Sequence, residues 1–113
     1  MRIVIIGSRG FDNYKLVVET LLPYKSKITL LVSGGARGAD TLGEKWAIEH
    51  GIETLIFPAD WKTHGKKAGY IRNENIVKNC DGIIAFWDGV SRGTAHSLTL
   101  ANTYGKPINL VSI

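Results

Sequence analysis

The stretch Ile28-Thr-Leu-Leu-Val-Ser-Gly-Gly-Ala-Arg-Gly-Ala-Asp40 decides the fold. A short, β-branched and uninterrupted apolar run stops at a glycine-rich loop, and a helix-length segment follows at once. The same grammar recurs along the chain. Arg2-Ile-Val-Ile-Ile6 ends at Gly7, Glu53-Thr-Leu-Ile-Phe57 at Pro58, and Gly82-Ile-Ile-Ala-Phe86 at Trp87-Asp-Gly89, while Pro107-Ile-Asn-Leu-Val111 comes last. Continuous apolar runs, unlike alternating ones, belong to strands covered on both faces, as in a parallel sheet.

Helix-length segments lie between the runs. Asp12 to Leu22 opens on a capping residue and carries Tyr14, Val17, Val18 and Leu21 at helical spacing. Ala39 to His50 sets Ala39, Leu42 and Trp46 on one stripe before Gly51 stops it. Ala68 to Asn79 is a weaker helix, interrupted by Arg72-Asn-Glu-Asn75, and Thr94 to Tyr104 ends ahead of Gly105 and Pro107. Strands alternating with helices predict an α/β fold: a doubly wound parallel sheet of five strands in the order 3-2-1-4-5, helices on both faces and crossovers right-handed. Pro58 to Lys67 is left as a long connection, the kind that tends to carry function.

Length and composition agree with this reading. The 113 residues make a single domain spanning 1–113, with 44% hydrophobic and 21% charged residues, the balance of a globular protein rather than a disordered one. One cysteine, Cys80, excludes a disulfide framework and fits a reducing compartment. No apolar run approaches a membrane span, and Ile3 to Ile6 is too short for a signal peptide, so the expected location is cytoplasmic and no membrane partner is expected.

The net charge is +4, and its placement says more than its size. Three of the five arginines stand directly before glycine, in Arg9-Gly10, Arg37-Gly38 and Arg92-Gly93. Without those three the net charge is +1. In an open parallel sheet, ligands bind outside the carboxyl ends of the strands, where the strand order reverses. That point falls between strands 1 and 4. There the loops Gly7-Ser8-Arg9-Gly10 and Asp88-Gly89-Val90-Ser91-Arg92-Gly93-Thr94 converge, flanked by Ser33-Gly34-Gly35-Ala36-Arg37-Gly38 with Asp40. Glycine lets backbone amides approach a phosphate, helix N-termini add partial positive charge, and arginine adds forked hydrogen bonds.

Neither Gly-x4-Gly-Lys-Ser/Thr nor Gly-x-Gly-x-x-Gly is present, which removes the P-loop and the ordinary dinucleotide fingerprint. Asp40 and Asp88 stand where a carboxylate would meet sugar hydroxyls or a base N–H rather than a phosphate, while Glu44 shares the first turns of the Ala39 helix. Asp40, Glu44, Glu74 and Asp88 are the candidate carboxylates for any catalysis. Trp61 opens a stretch with Lys62, Lys66, Lys67 and Arg72-Asn73 that is rich in basic and aromatic residues and has room to fold over a ligand as a lid. His64 and His96 lack partners at metal-ligand spacing, so no metal site is expected, and no cofactor is required. A divalent ion would enter only with the phosphates of a ligand.

These loops together resemble a known family. Gly7-Ser-Arg9, Val32-Ser-Gly-Gly-Ala-Arg-Gly-Ala-Asp40, Pro58-Ala-Asp-Trp61, Ala68-Gly-x-x-Arg-Asn73, and Ala85-Phe-Trp-Asp-Gly89 with Ser91-Arg-Gly-Thr94 are similar to the YspA-like branch of the SLOG superfamily, across essentially the whole chain. The superfamily also holds LOG-type nucleotide phosphoribohydrolases and the DNA-processing protein DprA. The resemblance implies a Rossmann-like fold that binds a nucleotide or a nucleotide-derived signalling ligand, acts as a sensor or a sequestering protein in a bacterial or phage setting, and assembles as a homodimer or larger homo-oligomer.

Two alternatives stand beside that expectation. One is an N-glycosidase acting on nucleotides. LOG-type enzymes carry Pro-Gly-Gly-x-Gly-Thr-x-x-Glu, whose Gly-Thr matches Gly93-Thr94, but the glutamate position falls on Ser97 and the Pro-Gly-Gly portion is replaced by Val90-Ser91-Arg92. Whether the chain is an enzyme therefore stays open at the level of sequence. The other alternative is DprA-like binding of single-stranded nucleic acid, a less favoured partner than a small phosphorylated ligand.

Overall fold

A computed structural model describes residues 1–113. Its strands are β1 (Arg2–Gly7), β2 (Leu30–Ser33), β3 (Glu53–Ile56), β4 (Gly82–Trp87) and β5 (Ile108–Ser112). The helices are α1 (Tyr14–Leu21), α2 (Ala39–Glu49), α3 (Trp61–His64), α4 (Ala68–Lys78) and α5 (Arg92–Thr103). All five strands join one parallel sheet in the order β3-β2-β1-β4-β5, as the alternation of runs predicts.

The central strands supply both cores. Ile3 and Ile5 of β1 point to one face, where they meet Val17 and Leu21 of α1 and Ala39, Trp46 and Ala47 of α2. Val4 and Ile6 point to the other face, against Ile76 and Val77 of α4 and Ala101 of α5. A strand buried on both sides has no use for alternation, which is why its run is uninterrupted.

Several local expectations change. The α1 cap is Asn13 rather than Asp12: its Oδ1 accepts the Leu16 amide at 3.1 Å, and the helix starts two residues later than expected. The β3 run is apolar in its last two residues, yet Glu53 to Ile56 are all exposed, because β3 is an edge strand and α4 packs against the centre of the sheet instead of over it. The connection from Pro58 is not all loop. Asp60 accepts the Thr63 amide at 3.2 Å and caps the single turn of α3, and a 3₁₀ turn over Gly65–Lys67 leads into α4. The helix α5 begins at Arg92, so the third Arg-Gly pair lies in its first turn. No helix is long and apolar enough to cross a membrane.

Two glycines fix how the loops pack. A Cβ on Gly7 would run into the Phe86 carbonyl and the Ala39 Cβ, so β1 can sit against β4 and α2 only without a side chain there. Gly38 has φ +79°, and a Cβ on it would strike the Ser8 and Arg9 carbonyls. Gly38→Ala adds backbone strain to that clash, at a combined cost of about 2 kcal/mol or more, and lowers the melting temperature by about 10 °C. Thermal unfolding followed by circular dichroism checks this; an unchanged transition would show that the two loops are not locked together at this point.

Candidate functional site

A cleft of about 440 Å³ opens at the carboxyl ends of β1 and β4, the point where the strand order reverses. Gly7, Ser8, Arg9 and Gly10 form one wall, and Ser91 to Thr94 at the start of α5 form the opposite one. Asp40 and Ala36 close one end, and Arg72, Asn73 and Ile76 enter from α4.

The backbone of this cleft is rich in unused donors. The first three amides of α5, on Arg92, Gly93 and Thr94, have no acceptor in the chain, and the Ser91 side chain does not cap them. The amides of Arg9 and Gly10 also lack acceptors, whereas Ser8 donates to the Phe86 carbonyl and Phe11 to the Ser8 carbonyl. Helix starts and turns normally satisfy such donors with side chains, water or a ligand. Arg9 and Arg92 have no carboxylate within ion-pair distance, since Lys78–Glu74 forms the single ion pair in the structure. Unpaired amides, a helix N-terminus and free guanidinium groups in one concavity are the chemistry that suits an anion.

Asp88 shapes that site from outside the donor set. Its Oδ1 accepts the Val90 and Ser91 amides, both at 2.9 Å, and its Oδ2 accepts the Ser91 hydroxyl at 3.1 Å. These bonds, the Val90 amide first, pull its pKa down to about 2. A carboxylate so stabilised is a poor general base near neutral pH, and its work here is to hold the loop that presents α5. Ser8 ties the two walls together: its hydroxyl accepts from the Asp88 amide at 3.3 Å and pairs with the Ser91 hydroxyl at 3.1 Å.

Asp40 is different. It is buried at the start of α2, where its Oδ2 accepts the Gly34 amide at 3.2 Å and the Ala36 amide at 3.3 Å. The second oxygen has no partner in the chain. Burial pushes the pKa up to about 6, against the opposing pull of the Ala36 amide, Arg72 and the Gly34 amide. Arg72 itself is fixed, with Nη1 donating to the Gly34 carbonyl and Nε to the Asn73 Oδ1, each at 2.9 Å. Asn73 Nδ2 in turn lies 3.3 Å from His96 Nδ1.

The remaining candidates separate. Arg37, Gly34, Gly35 and Trp61 line a neighbouring groove rather than this cleft. Ser33 is buried, its hydroxyl donating to Glu44 Oε2 at 2.9 Å and accepting the Gly35 amide at 3.1 Å, so Ser33 and Glu44 occupy each other. Gly38 serves packing, and Gly89 supplies a turn at φ +86°. Glu74 faces away, bonded to Lys78 at 3.0 Å and to the Tyr104 hydroxyl at 2.9 Å.

The cleft also takes in Ile6, Gly10, Ala36 and Ile76, none of which the sequence singled out as ligand-facing. Gly10 was within reach of sequence reasoning as the partner of Arg9; Ile76 was not, because an apolar residue on a helix reads as core. Ser97, where the LOG-type motif has its glutamate, lines the cleft from the second turn of α5.

A parallel five-stranded sheet with a polar, donor-rich cleft at its switch point defines a Rossmann-like α/β domain. The chain belongs to the YspA, cpYpsA-related SLOG family, whose model matches residues 1–64. A relative of similar size, the Gene 61 protein of Mycobacterium phage D29, is 37% identical over 116 aligned positions that cover 95% of this chain and 93% of that protein.

Among solved structures, the DNA processing protein A (DprA) of Streptococcus pneumoniae superposes with a TM-score of 0.81 at 19% identity, over 96% of this chain and 49% of that one. DprA from Helicobacter pylori, described for its single-stranded DNA binding mode, gives 0.76 at 22% identity over 97% and 64%. A protein designated TM1055 gives 0.72 at 20% identity over 95% and 71%. The chain thus spans about half to two thirds of the DprA structures, and these likenesses concern the fold.

The buried carboxyl yields a pH prediction. Because the folded pKa of Asp40 lies above its ordinary value of 3.8, folding retains a proton that the unfolded chain loses. Its stability contribution is greatest below about pH 4, declines as pH rises to about 6, and costs about 3 kcal/mol above that. Asp40→Asn keeps an oxygen for the Gly34 and Ala36 amides and removes this loss. Urea unfolding at pH 4.5 and pH 7.0 should show the variant gaining stability relative to the wild type at the higher pH; identical pH dependence would mean Asp40 is solvated in the folded state.

Proposed function

We propose that the protein binds a nucleotide, or a small phosphorylated ligand derived from one, in the cleft between the β1 and β4 loops. The observation that carries this reading is the set of five acceptor-free amides, on Arg9, Gly10, Arg92, Gly93 and Thr94, gathered beside the unpaired guanidinium groups of Arg9 and Arg92. These groups hold the phosphate. The free oxygen of Asp40, the Asn73 amide and the Thr94 and Ser97 hydroxyls offer the mixed donors and acceptors that sugar and base require. A volume of about 440 Å³ suits a ligand of nucleotide size. The role is binding, as a sensor or by sequestration, and any ion present arrives with the ligand.

Hydrolysis is the weaker reading. Of the candidate carboxylates, Asp88 is spent on its own loop, Glu44 on Ser33 and Glu74 on Lys78 and Tyr104, which leaves Asp40 alone, and Ser97 supplies no negative charge for a ribosyl cation. A second binding reading has specific support: Trp61 and Tyr70 are exposed beside Lys62, Lys66 and Lys67, and the fold matches a protein described for single-stranded DNA binding. That arrangement would form a stacking platform in a positive groove.

Titration calorimetry with nucleoside mono- and diphosphates, followed by mass spectrometry after long incubation, tests the proposal. Saturable binding and intact nucleotide are expected, and Arg92→Ala should weaken binding by about 1.5–3 kcal/mol without altering the melting temperature. Release of free base would replace binding with hydrolysis. Absence of nucleotide binding, together with steeply salt-dependent binding of an oligonucleotide, would overturn the proposal in favour of nucleic acid.

A further inference from the structure

The groove beside the nucleotide cleft, with a volume of about 470 Å³, has the components of a second subsite. Arg9, Ala36 and Arg72 line both spaces, so the two meet along a ridge carrying two guanidinium groups. The Gly34 carbonyl and Asn73 tie Arg72 to that ridge with two hydrogen bonds of 2.9 Å.

Beyond the ridge the chemistry changes. Trp61, Ile56 and Pro58 make an apolar wall, with Trp61 57% and Ile56 44% exposed, so both present apolar surface to the groove. The edge of the Trp61 ring faces Gly69 of α4, where an added Cβ would only just reach van der Waals contact, and its backbone is set by the Asp60 cap of α3. Arg37 joins this groove and has neither a carboxylate partner nor a side-chain hydrogen bond. An aromatic platform next to an unpaired arginine, sharing two arginines with a phosphate cleft, is matched to a second ring joined through phosphate to the first.

We propose that the site accepts two nucleosides linked through phosphate, the first in the β1–β4 cleft, the linking phosphate across Arg9 and Arg72, and the second base stacked on Trp61 near Arg37. This rests on the nucleotide reading of the first cleft and extends it. The same unit occurs as a free dinucleotide and as two successive residues of a single strand, so the measurement must separate these sources.

The probes are adenosine monophosphate, the linear 5′-phosphorylated dinucleotide of adenosine, and a 20-residue oligoadenylate, each titrated at two salt concentrations. The dinucleotide should bind about tenfold more tightly than the mononucleotide, the gain expected of one stacked base. Trp61→Ala and Arg37→Ala should each collapse that ratio towards one, and Trp61→Phe should restore much of it. Oligomer affinity per site equal to that of the dinucleotide assigns the site to a free dinucleotide. Affinity that is much tighter and steeply salt-dependent assigns the same two-nucleotide site to a strand. Mononucleotide binding with no advantage for the dinucleotide would overturn the second subsite and leave the first cleft standing. Binding of none of the three probes would overturn both.

Discussion

The pairing of β1 with β4 governs the rest of the molecule. The two strands run in register from Ile3 opposite Gly82 to Gly7 opposite Phe86, and Gly7 is bare so that the Phe86 carbonyl can approach. From the end of β1 the chain turns to the α1–α2 face; from the end of β4 it enters α5 on the opposite face. Two adjacent strands whose continuations diverge must leave a crevice between them. The cleft is therefore a consequence of strand order, and its polarity comes from what the diverging loops expose: uncapped amides and arginines on both sides.

Burial and polarity divide the labour among the acidic residues. Asp88 is ionised and surface-held, and its amide bonds shape the loop before α5. Glu44 is matched to Ser33, and Asp40 is buried against two amides with one oxygen free. Arg9 and Arg92 have no such partners, while Arg72 is held by the Gly34 carbonyl and Asn73. Arg9 and Arg92 face the cleft without a carboxylate partner, whereas Asp88 is bonded within its own loop and Asp40 is buried at the cleft's end, and that asymmetry favours an anion beside the two arginines.

Much of the architecture could be read from the chain because β-branched runs ending in glycine have few structural interpretations. The limits are equally physical. The predicted order puts the Glu53–Ile56 strand at the edge, but its exposure was not legible, since that depends on α4 packing against the centre of the sheet. The single turn of α3 hides behind Pro58, with only the Asp60 cap as its signal. Among site residues, the glycine and arginine loops were legible from their composition and their place after strands. The division of those loops into two neighbouring spaces was not, because Arg37 and Arg92 look alike in sequence and differ only in which side of the Arg9–Arg72 ridge they occupy. Ser33 and Glu44 illustrate the converse: residues typical of a site can satisfy one another.

The central claim is that the free amides at the start of α5 and in the β1 loop receive a phosphate. Backbone ¹H–¹⁵N spectra of the protein titrated with adenosine monophosphate examine those donors individually. The account predicts saturable downfield shifts at Gly10, Gly93 and Thr94, with much smaller changes along β3 and β5. Saturable shifts confined to residues away from the β1 and α5 loops, with those three amides unmoved, would contradict it.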